Sequence, residues 1–201
     1  AAGVDFAILG TEERCSGDTA RRAGNEWLFQ TMAEDNIATL KQYKFKRIVV
    51  QCPHCFNTLK NEYPQFGGSF EVIHHSQFIS ELIAQDKIEL KATARKKVTF
   101  HDPCYLGRYN DEYDAPRFVV TAAGADLVEP ERTRSKAMCC GGGGARVWQE
   151  DQKEVRINYV RFDQLAETGA EEIGVGCPFC MIMLEDAAKT KADDHEIPVR
   201  D

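Results

Sequence analysis

The chain predicts an α/β fold of two similar lobes, each a small, mostly parallel sheet flanked by helices. Three observations carry this. Short β-branched or apolar runs alternate with longer amphipathic ones. Cys15, Cys52 and Cys55 recur, each 125 positions later, as Cys140, Cys177 and Cys180. In both copies a Cys-Pro-x-Cys turn directly follows an apolar run, at Val49-Val50-Gln51-Cys52 and Gly174-Val175-Gly176-Cys177. Strand and helix signals in alternation require right-handed crossovers and hence parallel strands. Three cysteines repeated in one register mark a duplicated unit. The lobes are expected over residues 1–90 and 91–201, with the basic stretch 87–97 (Lys87, Lys91, Arg95, Lys96 and Lys97) as their polar boundary.

Taken in order, Val4-Asp5-Phe6-Ala7-Ile8-Leu9 reads as a strand and about 18–43 as a helical region. Arg47-Ile48-Val49-Val50 and Phe70-Glu71-Val72-Ile73 read as strands, and a helix follows from Ser76 with Phe78, Ile79, Leu82 and Ile83 on one face. The second lobe repeats the plan with strands at 98–101, 125–128 and 173–176 and a long helix through about 146–168. Trp27, Phe29, Trp148 and Tyr159 fall at helical positions and are expected in the core. Each Cys-Pro-x-Cys turn places proline at the first helical position, where its missing N–H costs nothing. The thiols therefore gather at the carboxyl edge of the strands and the amino end of a helix, where unpaired amides favour negative charge.

Composition excludes several classes. No run approaches the ~20 apolar residues of a membrane span, and no signal segment opens the chain, so a cytoplasmic setting is expected. A net charge of -7 and a pI near 5.3, with 25 basic residues scattered along the chain, argue against a nucleic-acid surface. Without a secretory signal, Cys-x-x-Cys pairs suit metal or redox chemistry better than a disulfide scaffold. The chain opens on Ala1 rather than Met and ends on a strand-like Ile197-Pro198-Val199, so an excised piece of a longer polypeptide is expected.

The second lobe carries a complete cysteine set: Cys104, Cys139, Cys140, Cys177 and Cys180. Five thiolates are one more than tetrahedral zinc takes, and vicinal cysteines are awkward on one small ion. A multi-iron cluster accommodates neighbouring thiolates on different irons. The Gly141–Gly144 run then lines the cluster with close backbone amides, or is simply a flexible loop. His101 either supports sulfur or is a satisfied histidine at a strand end. The first lobe is degenerate. Arg14 stands where the second lobe has Cys139, nothing in the chain matches Cys104, and Cys15, Cys52 and Cys55 remain. His54, inside its Cys-Pro-His-Cys turn, is an alternative ligand. His74-His75 are either a helix-entry pair beside Ser76 or titratable neighbours of the site.

The pattern Cys104-x34-Cys139-Cys140-Gly141-x35-Cys177-x-x-Cys180 resembles the CCG cysteine-rich domain of the heterodisulfide reductase superfamily. The stretches Cys15-Ser16-Gly17-Asp18, Gln51-Cys52-Pro53-His54-Cys55, His101-Asp102-Pro103-Cys104 and Cys139-Cys140-Gly141-Gly142-Gly143-Gly144 resemble its Fe-S oxidoreductase branch, often found with electron-transfer flavoproteins. The resemblance implies a noncubane 4Fe-4S cluster on Cys104, Cys139, Cys140, Cys177 and Cys180. It implies a second centre, cubane or incomplete, on Cys15, Cys52 and Cys55. It also implies an oxidoreductase component that relays electrons from reduced electron-transfer flavoprotein toward a membrane quinone. A membrane and ferredoxin-like part of the same polypeptide would lie upstream, with this chain as its soluble part. Two other functions stay open: a heterodisulfide-reductase-type catalytic component that cleaves a disulfide or oxidises a small hydroxy acid at the noncubane cluster, and a zinc-stapled interaction domain.

Overall fold

The computed structural model describes residues 2–90, 95–149, 156–192 and 196–201. Two parallel sheets form, one of two strands and one of four. The fold is therefore α/β, as expected. In the first half, β1 (Ile48–Val50) pairs with β2 (Val72–His74). In the second, β3 (Lys97–Phe100), β4 (Asp126–Leu127), β5 (Glu172–Gly174) and β6 (Val199–Arg200) lie in the order β4-β3-β5-β6. The duplication is visible in the pairing. Ile48 faces Val72 in the first sheet, and Ile173, its counterpart, faces Val199 in the second.

The helical region near the start divides into α1 (Asp18–Arg22) and α2 (Glu26–Leu40). Gly24, at φ +87°, breaks the chain between them, and the Asn25 side chain accepts from the Leu28 amide to start α2. Phe29, Ala33 and Ile37 recur at four-residue spacing on the buried face of α2 and pack against Tyr63. Trp27 lies about 200° around the helix from Phe29 and is 76% exposed, so it is not core. Trp148 is exposed as well, whereas Phe29 is buried and Tyr159 packs against the second core.

The expected strand at 4–9 is absent. Residues 2–9 have no regular structure, and Phe6 and Ile8 are each 79% exposed. Apolar alternation becomes a strand only with a pairing partner, and no described strand lies beside this segment. The long helix expected over 146–168 is also corrected. It comprises a single 3-10 turn at Arg146–Trp148 and a later helix (Ile157–Ala166), named α7 below, with residues 150–155 outside the described residues. Of the boundary stretch, 91–94, including Lys91, likewise lies outside them.

Both cysteine turns start helices at their prolines: α3 (Pro53–Asn57) and α8 (Pro178–Thr190). The first ends after five residues. A π-helical turn at Thr58–Glu62 and a 3-10 turn at Tyr63–Phe66 replace it. The remaining helices are α4 (His75–Ala84), α5 (Gly107–Asn110), α6 (Asp114–Ala122) and α7 (Ile157–Ala166), with α4 packed on α6 and α7 on α8. The halves share a core: Leu106 is fully buried with Phe56 and Val72. His54 reaches across to stack on Tyr105 at 4.2 Å and meets Phe179 edge-on at 4.7 Å.

Candidate metal centre

Three strand ends, those of β1, β3 and β5, lead into the thiols of Cys52, Cys104 and Cys177. Cys52 and Cys177 are the N-caps of α3 and α8, so that each sulfur stands at the amino end of a helix, where unpaired amides favour its thiolate. Cys104 follows the end of β3, whose ladder continues one residue further through the His101 amide to the Gly174 carbonyl, at 2.9 Å. Cys139 and Cys140 enter on a loop pinned by Asp102. That buried carboxylate accepts from Arg117 at 2.7 and 2.9 Å, from the Thr133 hydroxyl at 3.2 Å and from the Arg134 amide at 2.7 Å. These donors hold the Asp102 carboxyl below its ordinary range although burial alone would raise it. Glu129 accepts from the same guanidinium.

All eight cysteines are free thiols. Seven of them form one unbroken run of sulfur neighbours, Cys55–Cys52–Cys177–Cys180–Cys140–Cys139–Cys104, which crosses from the first half to the second between Cys52 and Cys177. The neighbours compete for protons. The neighbouring thiols of Cys104 and Cys140, together with the Gly141 amide that donates to its sulfur at 3.3 Å, hold Cys139 far below the ordinary thiol range. Cys177 is lowered in the same way by Cys180 and Cys52. Their partners move the other way: Cys140 is pushed up to about 12 first by Cys139, and Cys52 to about 12 first by Cys177. Cys15 stands at the edge of the run, exposed, accepting from the Gly17 amide at 3.5 Å, while Ser16 donates to Cys55 at 3.3 Å. In the second lobe the corresponding Gly142 amide reaches Cys140.

One buried polar atom fits a bound anionic group. His101 Nδ1 accepts from Arg161 Nε at 3.1 Å, so the ring carries its proton on Nε2. Nε2 is buried and without a partner among the described residues. A ring nitrogen of His101 and the sulfurs of Cys140 and Cys180 all lie within 4.8 Å of one another. Burial lowers His101 to about 3, so the imidazole is neutral at ordinary pH. A polythiolate donor set with an orphan N–H beside it suits a metal–sulfur group, because metal binding displaces the shared thiol protons.

The histidines of the first half take structural places. His54 Nδ1 is bound to the Asp18 carboxylate at 2.7 Å and its ring lies against Tyr105. His74 caps α4, its Nδ1 bonded to the Ser76 hydroxyl at 2.8 Å and its Nε2 to the Gln51 carbonyl at 2.9 Å, which ties β2 to the residue before Cys52. Burial takes it down to about 4. Arg14, in the place of Cys139, turns to solvent and pairs with Asp35 at 3.1 Å. The buried charges were not foreseen from the sequence. Asp18, Arg22 and Glu62 form one group beside Cys55; Asp102 and Arg117 form another; Arg161 is fully buried. Arg161 was legible in principle, since Asn158, Arg161, Phe162 and Leu165 share the i, i+3, i+4, i+7 face of α7 that is buried.

The CCG cysteine-rich domain family matches the chain in two stretches, residues 1–60 and 98–185, one in each half. The chain is 43% identical over its whole length to the EtfAB:quinone oxidoreductase of Syntrophomonas wolfei, covering 29% of that protein. It is 46% identical to the probable iron-sulfur-binding oxidoreductase FadF of Bacillus subtilis, again over the whole chain and 28% of the relative. Over 96% of its length it is 34% identical to a component of the dihydromethanophenazine:CoB–CoM heterodisulfide reductase of Methanosarcina barkeri, spanning 49% of that component. The match over both halves, with the cysteines of both gathered at one rim, places the chain in the CCG cysteine-rich domain family.

Proposed function

We propose that this chain is an iron-sulfur electron-transfer module of an oxidoreductase. It relays electrons from reduced electron-transfer flavoprotein, during acyl-CoA oxidation, toward a membrane quinone. In this reading Cys104, Cys139, Cys140, Cys177 and Cys180 hold a noncubane 4Fe-4S cluster. Cys15, Cys52 and Cys55 hold a cubane or incomplete one. When bound, such clusters accept and release single electrons. The chain's own contribution is thiolate ligation, amide hydrogen bonds from Gly17 to Cys15 and from Gly141 to Cys139, and burial of Cys140, Cys177 and Cys180.

The observation that supports the reading is that Cys52 and Cys177, one from each half, are close enough to perturb each other's protonation. Cysteines this close would hold two centres near enough to need no side-chain carrier between them. Support for the partners comes from the names of two relatives, a quinone oxidoreductase and a probable membrane-anchored ferredoxin of Chromohalobacter salexigens. In this reading the chain is the cytoplasmic, peripheral part of such an assembly. No described helix is long and apolar enough to cross a membrane. The disulfide-cleaving alternative gains from the likeness to the Methanosarcina heterodisulfide reductase.

The test is anaerobic reconstitution with iron and sulfide, followed by iron analysis and electron paramagnetic resonance. The intact chain is expected to turn brown, and Cys139→Ser and Cys15→Ser each to lose about four irons independently of the other. A colourless, zinc-loaded protein, or variants that retain all their iron, would overturn the reading. Iron loss with undiminished electron flow from reduced flavoprotein would move the assignment to the disulfide-cleaving alternative.

A further inference from the structure

The most unusual side chain of the molecule is Arg161. It is fully buried, yet among the described residues it has no carboxylate partner. Its Nε donates to His101 and its Nη1 to the Arg132 carbonyl at 3.0 Å and to Gln164 Oε1 at 3.1 Å, while Nη2 is buried and unpartnered. The nearest acid, Asp102, has both oxygens engaged by Arg117 and by the loop at 133–134. A buried cation without a counter-charge is costly to keep, and a fold retains one where an anion completes it. Besides Asp102, the acidic groups that Arg161 feels are the thiols of Cys140 and Cys180, protonated here and negative once they ligate a metal. Burial lowers the guanidinium only to about 10, so it stays charged at neutral pH.

The first half lacks this charge. The residue 125 positions before Arg161 is Asn36, a neutral amide that donates to the Cys15 carbonyl and the Tyr63 hydroxyl, each at 2.9 Å. The cations near Cys55 are already neutralised: Arg22 pairs with Asp18 and Glu62, and Arg21 with Glu62 and Glu26. Asp18 adds a negative charge felt at Cys55. The second cysteine group thus has a buried, uncompensated cation behind it that the first lacks among the described residues.

Resting on the reading of the second cysteine group as an iron-sulfur centre, we propose that Arg161, acting through the Nε2–H of His101, raises the reduction potential of that centre above that of the first. The step concerned is the uptake of one electron, with no bond made or broken. The centre gains one negative charge, and a fixed positive charge in a low-dielectric interior stabilises the reduced form over the oxidised one. A hydrogen bond donated to sulfur acts in the same direction. Electrons arriving at the first centre then run downhill to the second. Arg161 and His101 are positioning residues here and do not touch the electron donor.

The experiment is a redox titration of the reconstituted full chain with dithionite as reductant, followed by electron paramagnetic resonance. Cys15→Ser isolates the second centre and Cys139→Ser the first. In the Cys15→Ser background, Arg161→Gln is expected to lower the midpoint by about 59 mV or more, a tenfold change in the ratio of reduced to oxidised centre for a one-electron couple. Arg161→Lys, which keeps the charge, recovers most of that shift. In the Cys139→Ser background Arg161→Gln leaves the midpoint where it was. His101→Leu lowers the second midpoint by less, and abolishes the ring-nitrogen coupling that 15N-histidine labelling reveals in pulsed spectra. An unmoved midpoint in Arg161→Gln at full iron content overturns the proposal, as does a Lys variant no better than the Gln variant. Should Arg161→Gln fail to load iron, an unmoved midpoint in His101→Leu overturns it instead. A parent chain that takes up no iron at all overturns the reading beneath it, which separates the two failures.

Discussion

At the scale of single residues, the molecule spends buried charge on holding its cysteine loops. Asp102 and Arg117 are 5% and 7% exposed, and their paired hydrogen bonds fix the turn that presents Cys104 against the loop that carries Cys139. Arg117→Met leaves the Asp102 carboxylate buried and unpaired, and is expected to cost about 3–5 kcal/mol in urea unfolding at pH 7. The pH dependence has a definite sign. Because the folded carboxyl lies below its ordinary 3.8, its contribution is complete above that pH and fades as pH falls through the lower folded value. The gap between parent and variant should therefore narrow in acid; a gap that stays constant down to about pH 2 would contradict the role given to the pair.

At the scale of elements, the glycine loop after Cys139-Cys140 shows which of its residues the backbone requires. Gly141 sits at φ +91°, and a Cβ there would meet the Ile157 side chain at 3.1 Å. Its amide also donates to Cys139. Gly144 has φ +65° but open space around it. Gly141→Ala is expected to cost about 1–3 kcal/mol, and Gly144→Asn close to nothing because asparagine tolerates the left-handed region. Thermal melts of the two variants distinguish a shaped cluster-lining turn from a merely flexible loop, for which both would be silent. Elements were legible where their signals act within the segment itself. The strands around 48, 98 and 173 and the helix starts at Pro53 and Pro178 were readable because apolar runs and proline position act locally. The strand expected at 4–9 was not, because pairing is a property of the neighbour and not of the segment. The single helix expected over 146–168 failed at its first turn, where Gln149 returns to extended backbone after one 3-10 turn.

At the scale of the whole molecule, the two halves are joined by packed side chains. Leu106 completes the core of Phe56 and Val72, Tyr105 stacks on His54, and Asn61 donates to Asn110 at 2.9 Å. We expect the divisions at 1–90 and 91–201 to unfold together. Leu106→Ala, at a fully buried position, should cost about 2–5 kcal/mol. It should do so in a single transition seen alike by Trp27 fluorescence, read in a Trp148→Phe background, and by circular dichroism of the whole. Two separate transitions would show instead that the halves are independent.

Spacing and local chemistry along the chain were enough for the duplication, the α/β alternation, the complete cysteine set of the second half and the depleted set of the first. Three-dimensional packing was needed to learn that Cys52 meets Cys177, that His54 is held by Asp18 instead of facing a metal, and that Arg161 stands buried behind His101 without an acid to balance it. Those facts join residues as many as 125 positions apart, and their free energies depend on burial and dielectric, which spacing along the chain does not encode.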